Sequence, residues 1–313
     1  MYFCRMKNES KGWVILLFLA LIWGSSFILM KKGMFASNGK PIFTDVQVAS
    51  MRMFFAALVL LPMALKGFKQ LQSVKDFLLL MIVGFFGNFF PAFLFTYAET
   101  GISSGYAGML NSCVPIFALL IGFLVFKDRL SKVQFLGVAI GTVGIVALSI
   151  AGQDLEINGD WSHVVAIIGA TICYGISLNT IKHTLQKYKS TEITSVAFFI
   201  TLVPGGLIAF FSGVLDVIES NPYAYSGLVY ILVLSVVGTA IAVVVFNQLI
   251  SISSVLFASS VTYLIPIFAV VIGVSFGEQI GVYQIVSMCI ILVGVFVANY
   301  LPKLKFYKDR FDH

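Results

Sequence analysis

Charge is what this sequence has least of. Only 11% of its 313 residues are Asp, Glu, Lys or Arg, against about a quarter in a soluble globular domain. That excludes a fold with a polar coat facing water. Histidine is scarcer: His163, His183 and His313 are the only three, and neither HExxH nor a cluster of carboxylates offers a metal site. The four cysteines, Cys4, Cys113, Cys173 and Cys289, form no CxxC pair. They support neither a disulfide framework nor a zinc site, and they read as small core residues. No Walker A sequence is present, which excludes an ATP-driven pump. "GISSG" at 101–105 spells G-x-S-x-G, but it joins two apolar runs instead of turning a strand into a helix, and no His lies near it. These absences leave no enzyme reading, no cofactor and no metal.

What the chain does have is hydrophobic length. Apolar residues make up 59%, with 30 Phe and a mean hydropathy of +0.99. Ten apolar runs stand near 12–32, 44–65, 75–97, 103–126, 131–150, 162–183, 191–212, 225–248, 254–276 and 280–301. Each approaches the roughly 20 residues that a spanning helix needs. The runs are continuous, whereas a barrel strand alternates with period two. The expected fold is an all-α integral membrane protein with ten transmembrane helices. The first run lacks a small-x-small exit and reads as a retained signal-anchor.

The chain also repeats itself. "WGSSFILMKKGM" at 23–34 aligns with "YGISLNTIKHTL" at 174–185, an offset of 151. At the same offset Gly87 falls on Gly238, Phe95 on Phe246, and "PIFALLIG" at 115–122 on "PIFAVVIG" at 266–273. With one residue of slip, Asp128 falls on Glu278, Gln134 on Gln284 and Gly144 on Gly294; at a shorter offset, Thr44-Asp45 is matched to Thr191-Glu192. Residues 1–150 and 151–313 are therefore two copies of a five-helix unit within one membrane domain.

Five is odd, so if every run crosses the bilayer the second copy starts on the opposite side from the first. Lys and Arg concentrate on the cytoplasmic side of membrane proteins. Alternate segments hold Arg5, Lys7 and Lys11; Lys66, Lys69 and Lys75; Lys127, Arg129 and Lys132; Lys182, Lys187 and Lys189; and Lys303, Lys305, Lys308 and Arg310. That is 16 of the 20 basic residues. The opposite loops hold Lys31, Lys32 and Lys40, and three of them carry acids alone. The basic "FKDRLSKVQ" and its uncharged-to-acidic partner "GEQIGVYQ" show the contrast within one repeat unit. The expectation is two inverted-topology repeats in the cytoplasmic (inner) membrane with both termini cytoplasmic. The net charge of +6 then records topology and not nucleic-acid binding. Inverted repeats are the build of many secondary transporters, with the solute near the midplane.

"WGSSF" in span one, "RMFFAALVLL" after Arg52 in span two, and "PIFALLIGFLVFKDRLSKVQFLGVAIGTVGIVAL" with its counterpart from Pro266 to Ala298 resemble the drug/metabolite transporter superfamily, specifically the EamA-type ten-helix permease. The resemblance covers nearly the whole chain. It implies export of small metabolites, amino acids or drugs through a cavity lined by spans three, four, eight and nine, with help from one and six. Two departures stand out: "KDR" at 127–129 where the family often has GER, and Glu99 in place of an apolar residue.

Small residues recur at helical spacing in span four (Ser104, Gly108, Asn111, Pro115, Ala118, Gly122) and span nine (Val255, Ser259, Thr262, Pro266, Ala269, Gly273). Such stripes permit close packing in lipid or form a cavity wall, with Asn111 and Thr262 as hydrogen-bonding groups. Pro115 and Pro266 each remove a backbone bond and are candidate hinges. Asn88 in span three, Thr239, Asn247 and Gln248 in span eight, Trp23 and Ser26 in span one, and Tyr174, Ser177 and Asn179 in span six complete the candidate cavity. Aromatics with amides and hydroxyls suit an uncharged or zwitterionic organic solute. Arg52, two turns into span two, pairs with Asp45 or meets a substrate carboxylate. Glu99 is wetted at the outer mouth or carries a proton. Gly137 and Gly141 form a G-x-x-x-G that dimerises the protein or packs within a monomer. A lipid or polyprenyl-lipid flippase, wanting a basic headgroup pocket, and a nucleotide-sugar-type exchanger, wanting more buried Lys and Arg, are the competing functions.

Overall fold

The structure is a computed structural model, which describes residues 2–153, 161–252, 257–258, 260–299 and 301. Among the described residues, nine helices are long and apolar enough to cross a membrane: Lys11–Met34 (span one), Asp45–Phe68 (two), Val74–Ala98 (three), Ser104–Leu124 (four), Lys132–Ala151 (five), Trp161–Thr184 (six), Ser190–Phe211 (seven), Ala224–Leu249 (eight) and Val282–Asn299 (ten). The ninth run is described as a helix over Val261–Ser275. Its expected beginning at 254–256, and Val255 and Ser259 of the small-residue stripe, lie outside the described residues, as do Asp154, Glu156, Asp160 and the basic residues from Lys303 to Arg310. Large side chains such as Leu124, Phe211 and Tyr283 face outward, where lipid rather than water accepts them.

Helix starts follow the local chemistry. Thr44 caps span two by accepting from the Gln47 amide, and Gln47 Oε1 accepts the Thr44 N–H in return, a reciprocal capping box. Span seven keeps half of this box: its cap is Lys189, whose N–H donates to Glu192 Oε2 and whose ammonium cannot accept in return. The residue equivalent to Thr44 is thus Lys189, and Gln47 matches Glu192. This corrects the alignment of Thr44-Asp45 with Thr191-Glu192 by two residues. Gln134 and Gln284 do play one role, each accepting an N–H at the start of its span, from Ser131 and Gly281.

The repeated "WG-S" and "YG-S" stretches have a packing reason. A Cβ on Gly24 would run into Phe268, Ala269 and Ile265 of span nine, and one on Gly175 into Ile121, Ala118 and Phe117 of span four. Span one therefore packs on span nine as span six packs on span four. Ser26 faces Gly238 in span eight, and Ser177 faces Gly87 in span three. Each copy lends its first helix to the other copy.

Spans three and eight each widen to a π-helical turn at matched places, Phe85–Phe89 and Val236–Ile241. Pro91 cannot donate to the Gly87 carbonyl, which accounts for the widening in span three. Such turns often mark functional sites.

Loop contacts sort into two sets. Asp76 after loop two–three binds Lys187 of loop six–seven, and Asp128 of loop four–five binds Lys182 at the end of span six. Asn38 binds Tyr223 across loops one–two and seven–eight, Tyr97 binds Ser162, and Lys31 binds the Ile102 carbonyl. Even-numbered connections touch even ones and odd touch odd, as helices that each cross the bilayer require. The core residues expected at Cys113 and Cys173 are buried and half-buried, but Cys289 is exposed on the lipid-facing surface. Cys4 lies where side chains are not described. Gly137 packs on Ala298, and Gly141 lies against Ile116 and Gly294. The G-x-x-x-G face is therefore filled by spans ten and four of the same chain.

Candidate functional site

A cavity of about 530 Å³ opens at the end of the bundle that carries Asp128 and Lys182. One wall comes from the first copy (Pro115, Ala118, Gln134) and the other from the second (Asn179, Phe246, Thr262). Its volume falls in the range typical of small-molecule sites.

Span four is broken where it borders this cavity. One helix ends at Asn111, Ser112 and Cys113 interrupt it, and a second helix runs from Val114 to Leu124. Pro115 sits in the first turn of the second piece, where its missing N–H costs nothing. Pro266 instead lies inside an unbroken helix. The two candidate hinges are thus unequal. Asn111 is half-buried at the break, and its amide makes no hydrogen bond among the described residues.

Three of the expected residues line the cavity: Pro115, Asn179 and Thr262. Asn179 is committed elsewhere as well, since its amide donates to the carbonyls of Ala118 and Gly175 at 2.8 Å each. It ties span six to span four, and its Oδ1 accepts no hydrogen bond among the described residues. Trp23 stands one layer back, against Phe246 at 5.2 Å between ring centres. Ser26 donates to the Ile22 carbonyl of its own helix. Ser177 is buried against Gly87, Pro266 is buried in span nine, and Asn247 is half-buried in span eight. Gln248 is exposed.

A second polar centre lies deeper. Arg52 Nε donates to Thr239 Oγ1 at 3.2 Å, and Thr239 Oγ1 in turn donates to the Leu234 carbonyl, five residues back. Arg52 Nη1 points at Met30 Sδ, 3.5 Å away. The expected pair with Asp45 does not form: among the described residues Arg52 has no carboxylate within ion-pair distance. Asp45 belongs to the first turn of span two, where it favours the helix N-terminus. Arg52 and Tyr174 are each half-buried. Asn88, in the other π-turn, is likewise half-buried, with its amide unbonded among the described residues.

Glu99 departs furthest from expectation. It is not wetted: it is fully buried, and among the described residues neither oxygen has a hydrogen-bond partner. Lys31, Glu278 and Arg52 lie within electrostatic reach. Burial first, and the Glu278 charge with it, push this carboxyl well above the ordinary range, while Lys31 and Arg52 pull the other way.

Sequence reasoning missed Asp128, Lys182, Tyr263 and Asn299 as cavity residues. In the sequence Lys182 reads as a topology charge and Asp128 as the repeat partner of Glu278; the matched pair of Glu278 and Lys31 was the available signal.

The sequence pattern of the EamA-like transporter family matches residues 10–150 and again 161–300. The chain belongs to the EamA-like transporter family. It is a multi-pass membrane transporter with the two-repeat build of that family. This EamA-like chain is 25% identical over 264 residues to an uncharacterized inner membrane transporter, YedA, of Escherichia coli, covering 83% of this chain and 81% of that one. It is 22% identical to the uncharacterized transporter YdfC of Bacillus subtilis over 93% and 92% of the two chains. A probable amino-acid metabolite efflux pump of Salmonella typhimurium is 27% identical over 49% of this chain and 48% of its own. A solved crystal structure superposes with a TM-score of 0.55 at 17% identity, over 93% of this chain and 98% of the other, a likeness of fold.

Proposed function

We propose that this EamA-like chain is a secondary exporter of small zwitterionic or uncharged organic solutes, amino acids among them, across the cytoplasmic (inner) membrane. The observation that carries this is the cavity walled jointly by both copies, open at the end where the basic loops place the cytoplasm. Alternating access moves one copy against the other around it. The solute enters past Asp128 and Lys182, meets Thr262, the Asn179 Oδ1 and the aromatic face of Phe246, and approaches Asn111 at the break in span four. Trp23, Ser26, Asn88, Tyr174, Ser177, Asn247 and Gln248 shape the route rather than wall the present cavity. Pro115 and Pro266 supply the bend points. Arg52, held by Thr239, keeps donors for a solute carboxylate. Glu99 is the proton carrier: a buried carboxyl facing Lys31 from span one, Arg52 from span two and Glu278 from the loop before span ten.

The amino-acid reading is supported by the name of the Salmonella relative and by the scarcity of buried cations, which a nucleotide-sugar exchanger or a lipid-headgroup pocket would want. The test is counterflow in liposomes with purified protein. Preloaded neutral amino acids should exchange with labelled external ones, and Ala118→Trp, which fills the cavity, should abolish that exchange. Exchange that survives Ala118→Trp would place the pathway elsewhere, and no exchange of any zwitterion would remove the substrate class.

A further inference from the structure

The end opposite the cavity is closed by one carboxylate. Glu278 receives the backbone N–H groups of Ser104 and Gly105 at 2.8 Å each, and Lys31 Nζ stands 3.9 Å from its Oε1. Lys31 also donates to the Ile102 carbonyl at 3.0 Å. Gly273 leaves the room: a Cβ there would run into the Glu278 carboxylate, while one on Gly105 would run into Ile280. Glu278 thus ties the loop before span ten to the end of span one and the start of span four. Beneath it lies the unpartnered Glu99.

The other end carries the same device in a different condition. Asp128 is the repeat partner of Glu278 and Lys182 that of Lys31. The backbone agrees, since Asp128 N donates to the Gly122 carbonyl at 2.9 Å and Glu278 N to the Gly273 carbonyl at 3.0 Å. Gly122 and Gly273 are themselves repeat partners. Yet the Asp128 carboxylate binds side chains only, Lys182 at 2.6 Å and His183 at 3.3 Å. Its side chain is 28% exposed at the cavity mouth, against 11% for Glu278. One member of the pair is buried on backbone amides and seals; its mirror image is wet and stands beside an open cavity.

We infer that Glu278 with Lys31 and Asp128 with Lys182 are the two gate latches, closed in turn. In this structure the Glu278 latch is shut. In the opposite state the Asp128–Lys182 pair becomes the buried seal and Glu278 is released to water. This rests on the alternating-access reading and adds the residues that hold each state. Charge-assisted bonds from backbone amides are the strong kind, so losing them should shift the balance between states measurably.

The test is cysteine labelling of the full chain in membrane vesicles with the native cysteines replaced. Ser104→Cys reports the closed end, since Ser104 is buried there, and Ala118→Cys reports the cavity. An impermeant maleimide is applied from each side. Glu278→Gln should raise labelling of Ser104→Cys about tenfold, the equivalent of about 1.4 kcal/mol, and lower that of Ala118→Cys. Asp128→Asn should do the reverse, leaving Ser104→Cys protected and Ala118→Cys at least as reactive. Lys31→Gln should act like Glu278→Gln but more weakly, because the two amides remain. A merely damaged fold would move both variants in one direction, and that result, or unchanged labelling in Glu278→Gln, overturns the latches. Labelling needs no solute, so failed counterflow by the unaltered protein refutes the transport reading separately.

Discussion

Lys127 sits in the left-handed region at φ 59°, the one non-glycine there among the described residues. Its repeat partner is Gly277, at φ 88°. The departure from GER to "KDR" therefore puts a side chain where the fold wants none, at a cost of about 1 kcal/mol. Lys127→Gly should stabilise the protein by about that amount, read as a higher melting temperature in detergent; an unchanged or lower value would contradict the strain. If Glu99 is the proton carrier proposed above, it sets the pH dependence. Its carboxyl is raised by burial in the state with the Glu278 latch shut, so this state binds the proton that a wetter state releases, and falling pH favours it. Counterflow of the unaltered protein should change with pH across the raised range, and Glu99→Gln, a fixed mimic of the protonated form, should flatten the profile. A profile that keeps its shape in Glu99→Gln would exclude it as the proton site. The sequence showed that Glu99 was unusual but not that it was buried, nor that Lys31, Glu278 and Arg52 on three separate elements act on its charge.

At the level of helices, nine of the ten apolar runs were legible to within three residues at each end, since lipid demands continuous apolar helices and little else satisfies the backbone. The π-turns of spans three and eight were not, because neither carries a change of hydropathy and the one in span three follows only from where Pro91 falls within a continuous helix. The break at 112–113 was read one turn late, at Pro115, since proline marks the helix start that follows a break as readily as the break itself. The Gly24 and Gly175 crossings carry the packing of each copy on the other. Gly24→Val would push Cβ to 2.6 Å from Phe268 and 3.0 Å from the Ala269 backbone. A loss of about 1–3 kcal/mol is expected from such overpacking. Gly169→Ala, with its nearest neighbour at 3.7 Å, is the control and should be neutral. Equal melting temperatures for the two variants would mean that spans one and nine do not meet there.

For the whole molecule, the repeat was visible in the sequence as an echo at 151 residues, and its inversion as an imbalance of Lys and Arg. What the echo could not say is which copy's helix touches which, and that exchange, span one on nine and span six on four, is what joins two halves into one cavity. The same inversion places Asp128 and Glu278 at opposite ends with matching backbone and opposite exposure. The most direct test is therefore sidedness. Single cysteines introduced at Arg129 and at Gln279, beside the two latch acids, are labelled in intact cells and in inverted vesicles with an impermeant reagent. The account predicts that Arg129→Cys reacts only in inverted vesicles and Gln279→Cys only in intact cells. Both reacting from one side would contradict the inverted repeat and, with it, the pathway drawn between its halves.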